Sequence, residues 1–195
     1  MNKKKDNFFV RNYLACWNFL KKAEEHVVIA FAIFCAFVII GFALPIWFNN
    51  EIFDLIRNMS EQFTGLSLFW TIIKIFFNNI QASFFAIFIG IGFGIFPLIT
   101  AIINGYVVGF VSRYAVNQQG IFILWKLLPH GIFEIPAIIL SIGIGFKLGL
   151  ELFKPFKKMK FKYNFIEAMR FFAFVVFPLL LIAAVIEGFL VFYLG

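Results

Sequence analysis

The sequence predicts an all-α fold: a polytopic transmembrane helical bundle of five spans, with an amphipathic interfacial helix at the amino terminus. Three observations support this prediction. Of the 195 residues, 63% are hydrophobic and 14% are charged, whereas soluble domains are about 45–50% apolar. The mean hydropathy is +0.95. The charged residues, with a net charge of +7, fall in short blocks beside long apolar runs, which is a pattern of membrane topology and not of a nucleic-acid-binding face.

Residues 1–26 form the predicted amphipathic segment at the cytoplasmic interface. No apolar core precedes Val27 and no small-residue cleavage site follows, so a removed signal peptide is not expected. A helix over this segment can lie in the headgroup plane, which is the favoured interpretation, or it can dock a cytoplasmic partner. One face of that helix would hold the apolar side chains, namely Phe8, Phe9, Tyr13, Cys16, Trp17 and Leu20.

The remaining residues, 27–195, form the predicted transmembrane domain. A helix needs about 20 apolar residues to cross the hydrocarbon, and residues 27–48 meet this without a charge. Residues 49–70 are too polar to cross and suit a short helix at the surface. The next apolar run has "GIGFGIFP" at its middle, where glycine and proline favour a turn. The predicted spans are therefore 27–48, 72–93, 98–116, 125–146 and 171–194, with a basic loop before the last.

The orientation of the bundle is predicted from its lysines and arginines, which gather in cytoplasmic segments. Residues 1–22 and 147–170 carry the two basic blocks. Both should face the cytoplasm, and five spans satisfy this with the amino terminus inside and the carboxyl terminus outside. The predicted location is the plasma membrane, and the lipid bilayer is the first expected partner.

Several polar residues lie inside the predicted spans, where they are costly and mark either function or a paired structural contact. At a rise of about 1.5 Å per residue, the carboxylates of the last two spans fall in one layer nearer the outer surface. Arg113 is a natural counter-ion for either carboxylate. The sequence therefore predicts an intramembrane polar cluster, composed of Asn78, Asn79, Asn104, Arg113, His130, Glu134 and Glu187.

The stretch "LPHGIFEIP" predicts a bent or broken helix start at the same level. Pro129 suits a first helical position, whereas Pro136 should free the carbonyl of Ile132, and Gly131 lies between them. Irregular backbone at membrane depth is tolerated only where protein covers it or where it lines a wet cavity. This stretch should fold against the polar residues of neighbouring spans, where it locks the bundle or lines a small cavity.

The polar cluster is compatible with several kinds of site. Structural contacts between helices are the favoured interpretation, and a pathway for a proton or substrate is the alternative. A metal site from His130, Glu134 and Glu187 is disfavoured because the span has no HExxH motif and no second histidine. "GIGFG" lacks the spacing of a phosphate-binding loop, and no nucleophile motif is present. The sequence predicts no catalytic residue, no metal and no cofactor.

Small residues recur every four positions in two of the spans. Gly105 and Gly109 are the first and last residues of "GYVVG". Ser141, Gly145 and Gly149 repeat the same four-residue spacing. Such pairs let helices approach closely. Packing inside the bundle is favoured, and homo-oligomerisation is the alternative.

One group of motifs resembles a known family. "LPHGIFEIPAIILSIGIGFKLG", preceded by "FFNNIQASF" and "NGYVVG", is similar to the stage II sporulation protein M family of polytopic membrane proteins over about residues 70–190. In spore-forming bacteria, the resemblance implies anchoring of a complex that includes a cell-wall hydrolase during engulfment of the forespore. Many relatives occur in organisms that never sporulate, and the resemblance carries over no catalytic residue. The matching positions are Asn78, Asn79, Asn104, Gly105, His130, Gly131, Glu134 and Pro136.

Two functions follow from these observations. The first, which the sequence favours, is a non-enzymatic membrane scaffold or assembly component, which would recruit other membrane or extracytoplasmic proteins. The second is a permease-like transmembrane subunit, whose amino-terminal helix would contact a separate cytoplasmic ATPase while the polar layer lines a pathway. No nucleic-acid partner is expected.

Overall fold

The computed structural model describes residues 7–47, 49–93, 96–153 and 158–194, without the side chains of residues 49, 55, 56, 59, 60, 91–93, 126–130, 158 and 194. The described residues are helical and contain no strand. Five helices are long and apolar enough to cross a membrane. The predicted fold class, an all-α transmembrane bundle with five spans, is therefore confirmed, and the chain is a multi-pass membrane protein.

Helix α1, Phe8–Ala43, joins the amphipathic segment and the first span in one helix of 36 residues. At about 1.5 Å per residue it is roughly 54 Å long, well beyond the roughly 30 Å of hydrocarbon. Asn7 caps it by accepting a hydrogen bond from the Phe9 amide. The amphipathic segment is thus not a separate helix. No glycine or proline interrupts residues 8–40, and tertiary contacts described below bury one of its faces.

Three further helices follow along the chain. Helix α2, Asn49–Phe63, lies in the polar segment after the first span, and α3, Leu68–Phe93, and α4, Phe96–Gln119, form the next two spans. Gly65 and Gly120 adopt φ of +77° and +78°, a left-handed conformation that glycine adopts at little cost. These two glycines therefore allow the chain to turn after α2 and after α4.

Helix α5, Leu124–Leu152, follows a short 3-10 turn at Ile121–Ile123. It is continuous through Pro129 and Pro136, whereas the sequence suggested a bent or broken start with Pro129 at the first helical position. A proline removes one main-chain hydrogen bond and crowds one carbonyl. Pro136 is exposed on the surface of the bundle, so its ring displaces no neighbouring helix. The rest of the hydrogen-bond ladder keeps the helix intact.

The basic segment expected to be a loop is largely helical. Helix α6, Lys158–Phe171, continues through a π-helical turn, Phe172–Val176, into α7, Phe177–Leu194. The Phe177 amide bonds to the Phe172 carbonyl across that turn. The next residue, Pro178, has no amide hydrogen, and its ring crowds the carbonyl of the preceding turn. This explains why the helix widens there from α-helical to π-helical geometry.

Polar contacts fix α6 against the end of α5. The Asn164 amide donates to Glu151 Oε1 at 2.7 Å and to Oε2 at 2.5 Å, and Lys160 Nζ lies 3.9 Å from the same carboxylate. The Lys147 ammonium donates to the main-chain carbonyl of Lys22 in α1. These contacts give the basic segment a fixed position and so favour helix over loop.

The amino-terminal half of α1 packs against α6 and the π-helical turn. Cys16, Phe19 and Ala23 are buried in one cluster with Ala168 and Phe171. The Phe19 and Phe171 ring centroids are 6.4 Å apart. One face of the amphipathic segment is therefore part of the protein core, and the opposite face remains exposed.

Among the described residues, two pairs of helices have glycines that lie directly against a main-chain carbonyl oxygen of the neighbouring helix. In the first, α1 and α4 run in the same direction, because Phe34 lies beside Gly105 and Val38 beside Gly109. A Cβ atom at Gly109 would overlap the Val38 carbonyl oxygen. Close approach of two backbones over small residues is a common way for membrane helices to pack.

The second glycine crossing joins α3 to α5. Gly90 faces the backbone of Gly145, and Gly145 in turn faces the Ala86 carbonyl. Helix α7 runs opposite to α3, because Ile72 lies beside Gly188 and Phe84 beside Phe172. The directions of these spans alternate along the chain, as five successive crossings require.

A tyrosine joins α4 to the connection between α1 and α2. The Tyr106 hydroxyl lies 3.1 Å from the Leu44 carbonyl and 3.2 Å from the Trp47 carbonyl, either of which can accept its hydrogen. It accepts a hydrogen bond of 3.0 Å from the Trp47 amide. Ile52 of α2 packs in the same cluster as Tyr106. Helix α2 is thereby held beside the carboxyl-terminal ends of α1 and α4.

Candidate functional site

A cavity of about 400 Å³ lies in the half of the bundle nearest α2. Its size is within the range of small-molecule sites, about 300–1,000 Å³. Helices α3, α4, α5 and α7 each contribute at least one polar side chain to its wall. These polar lining residues are Asn78, Asn79, Asn104, Ser112, Glu134 and Glu187.

Helix spacing explains why several of these side chains share one cavity. Asn104 and Ser112 are eight residues apart in α4, close to two full turns, so they lie on one face. In α5, Gly131, Glu134 and Ile138 follow the three- and four-residue spacing of a single helical face. The remaining wall is apolar and includes Phe34 of α1.

The polar lining side chains make few hydrogen bonds. Within the described part of the chain, no hydrogen bond joins Asn78, Asn79, Glu134 or Glu187 to another residue, and Glu187 Oε2 is buried without a partner. The Asn104 amide donates at 2.8 Å to the Thr100 carbonyl of its own helix. The helices that enclose the cavity are thus not joined there by hydrogen bonds between these side chains.

Burial differs among the cavity residues. Asn79 is only 8% exposed, whereas Asn78 and Ala82 are exposed, so the cavity reaches the surface of the described chain. A buried polar group without a hydrogen bond costs on the order of 1–3 kcal/mol. The energetic balance therefore favours solvent or a ligand beside Asn79.

Arg113 lies apart from the cavity, although the sequence suggested it as a counter-ion for the carboxylates. It is exposed, and its guanidinium carbon lies 5.5 Å from the centroid of the Phe42 ring in α1. Helix geometry accounts for this, because the neighbouring residue Ser112 faces the cavity and adjacent residues point about 100° apart. Arg113 instead lines a separate pocket with Tyr114 and Phe53.

The remaining residues of the sequence hypothesis have different positions. His130 and Pro129 belong to α5, but their side chains lie outside the described residues. Gly131 lines the cavity, while Gly105 and Gly109 lie against α1. Among the described residues, no group of three or more histidine, cysteine, aspartate or glutamate side chains could hold a metal ion.

Sequence reasoning missed Ser112 and Phe63 as lining residues. For Ser112 a signal was available, because its eight-residue spacing from Asn104 continues one helical face. Phe63 had none: it is the last residue of α2, and it reaches the cavity only because α2 folds back onto the bundle. The Lys74 ammonium lies 5.8 Å from the centroid of the Phe63 ring.

Comparison with known proteins gives one family and two partial relatives. The family model described as Stage II sporulation protein M matches residues 30–191. An uncharacterized protein of Methanocaldococcus jannaschii is 38% identical over 73 residues, which is 36% of this chain and 41% of that protein. A second from the same organism is 33% identical over 101 residues, 49% of this chain and 45% of that protein. The matches thus span less than half the length of these relatives. No solved structure matches.

Proposed function

The chain belongs to the stage II sporulation protein M family of membrane proteins, and from its cavity we propose that it is a permease-like subunit that binds a small polar solute within the bilayer. One observation carries the proposal: polar side chains from four helices line a single cavity without hydrogen-bonding one another. Ionisable groups inside a membrane mark solute and ion pathways when they face such a cavity.

A purely structural role for the cluster would need a different geometry. Polar residues that hold helices together do so by hydrogen bonds across the interface, worth about 0.6 kcal/mol each on average. The tight interfaces of this bundle instead lie at the glycine crossings, such as Gly109 against Val38. Asn79 and Glu134, in contrast, face open volume.

The orientation proposed for the solute site follows from the basic segments. With residues 1–22 and 147–170 in the cytoplasm, the carboxyl-terminal ends of α1, α4 and α7 face outward, and α2 lies beside those of α1 and α4. The cavity, which includes Phe63 of α2, then lies in the outer half of the membrane. A solute would reach it first from the outside.

Thiol labelling tests the proposal. In a chain with Cys16→Ala and Cys35→Ala, a reporter Ser112→Cys places a thiol on the cavity wall with little change in volume. We expect a membrane-impermeant methanethiosulfonate reagent to modify this thiol in intact cells. The matched control is Ser83→Cys, because Ser83 is fully buried and does not line the cavity. If Ser112→Cys in folded protein reacts no faster than Ser83→Cys, either in intact cells or after the cells are opened, the proposed solute cavity is wrong.

A scaffold role is the second candidate, and the exposed face of α1 favours it. Val10, Leu14 and Trp17 are more than half exposed there, while the opposite face is buried against α6. Deleting this segment would therefore damage the core. Leu14→Ser with Trp17→Ser alters the exposed face, leaves the buried face unchanged and so provides a cleaner test.

Crosslinking in cells followed by affinity purification separates the two roles. Recovery of a cytoplasmic ATPase with the unaltered chain, lost in the double serine variant, would support the transport subunit. Recovery of wall-acting enzymes or other membrane proteins without an ATPase would support the scaffold and contradict the transport subunit.

A further inference from the structure

The polar wall of the cavity is rich in hydrogen-bond acceptors. Glu134 and Glu187 contribute carboxylates, and Asn78, Asn79 and Asn104 contribute amide oxygens. The Asn104 amide group already donates to Thr100, which leaves its oxygen available. No lysine, arginine or histidine among the described residues lines the cavity. The wall thus presents two acidic side chains and several hydrogen-bond acceptors to whatever occupies it.

The nearby cationic side chains are engaged elsewhere. Lys74 Nζ donates at 3.1 Å to the Gln62 carbonyl, and Arg113 lies over the Phe42 ring. Neither side chain lines the cavity. Two carboxylates close to one cavity, with no described cation on its wall, favour a positively charged occupant, because separated charges are expensive inside a membrane.

Two observations beyond the carboxylates indicate a built site. Asn79 is buried to 8% exposure, faces the cavity and has no hydrogen-bond partner among the described residues. Phe34 adds an aromatic ring to the wall, and such rings attract ammonium groups. The Phe63 ring, also on the wall, already has the Lys74 ammonium beside it.

We propose that the cavity binds a small organic ammonium ion, whose charge lies between Glu134 and Glu187 and whose polar groups meet the asparagine amides. The inference rests on the proposed function and names its ligand class. The volume supports an organic ion: about 400 Å³ is within the range of small-molecule sites, about 300–1,000 Å³. A bare metal ion would fill little of it.

The test uses the Ser112→Cys reporter, purified in lipid nanodiscs. Methanethiosulfonate reagents that carry trimethylammonium or sulfonate groups differ mainly in charge. After correction for their reactivity with a free thiol, we expect the cationic reagent to react about tenfold faster or more, the lower end of enrichment in a cleft of one charge sign. Glu134→Gln combined with Glu187→Gln should abolish this preference. The matched control, Glu61→Gln in the exposed pair with Arg57, should leave it unchanged.

Protection of the reporter thiol from modification by added compounds identifies the ligand class. Choline should slow modification of the reporter, whereas its neutral carbon isostere, 3,3-dimethylbutanol, and sodium chloride at the same concentration should not. Equal protection by sodium chloride would overturn the organic ammonium. Labelling without charge preference or choline protection would also overturn it, while the solute cavity would stand. An unreactive reporter in folded protein would instead contradict the proposed function itself.

Discussion

Two glutamates in α5 have opposite environments, although both lie in the same helix. Glu134 faces the cavity and has no hydrogen-bond partner among the described residues. Glu151, seventeen residues later, accepts two hydrogen bonds from Asn164 and lies beside Lys160. Glu134 is thus available for a ligand, whereas Glu151 holds α6 against α5.

This contrast predicts that replacing glutamate with glutamine has different effects on stability at the two positions. Glu151→Gln replaces a charged acceptor and should lower the free energy of unfolding by about 1 kcal/mol. Glu134→Gln removes a charge without a described partner and should not lower it. Thermal unfolding of both variants in the same detergent provides the measurement. A larger loss from Glu134→Gln than from Glu151→Gln would give Glu134 a structural role and contradict the assignment.

At the scale of single helices, the arrangement of the bundle depends on how closely pairs of helices approach each other. Gly109 of α4 lies directly against the Val38 carbonyl of α1, and Gly145 of α5 against the Ala86 carbonyl of α3. Any side chain at these positions must push two backbones apart. The two crossings therefore set the distances between the helices that enclose the cavity.

Gly109→Ala should lower the free energy of unfolding by about 1–3 kcal/mol, the usual cost of overpacking a tight interface. The matched control is Gly131→Ala in α5, where a Cβ atom would meet the flexible end of Ile135 at 3.3 Å. That control should be neutral or stabilising, because alanine favours helix over glycine. The measurement is thermal unfolding in detergent, and an equal effect of the two substitutions would contradict a close α1–α4 crossing.

At the scale of the whole molecule, the directions of the spans decide which ends share a side of the membrane. With the basic segments in the cytoplasm, Gln118, at the end of α4, should face the outside, and Met159, near the start of α6, the inside. Both are exposed in the structure, Met159 to 87%. Their side chains can therefore be replaced without loss of packing.

Single cysteines at these positions in the chain without Cys16 and Cys35 test the topology. An impermeant maleimide should label Gln118→Cys in intact cells and Met159→Cys only after the cells are opened. Labelling in the reverse order would invert the bundle and place the cavity in the inner half of the membrane. Labelling of both in intact cells would contradict the crossing of the membrane by α5, the span between the two positions.

The number and character of the spans follow from the sequence itself. Runs of about 20 apolar residues have no stable place in water, and in a bilayer each must satisfy its backbone as a helix. Polar residues such as Glu134 and Glu187 stand out in these runs without any knowledge of packing. The motif around "PHGIFEIPA" likewise indicated the family that the comparison showed.

Only the tertiary structure decided which polar residues meet. Ser112 and Arg113 are neighbours in sequence, but one lines the cavity and the other lies over a ring of α1. Likewise, α6 is helical against α5 where composition suggested a loop. Local sequence determines that a helix crosses the membrane, because each backbone polar group that lacks a hydrogen bond in lipid is unfavourable and a helix satisfies these groups within one segment. The direction in which each face points depends on helix rotation and contact, which residues far apart in the chain determine together.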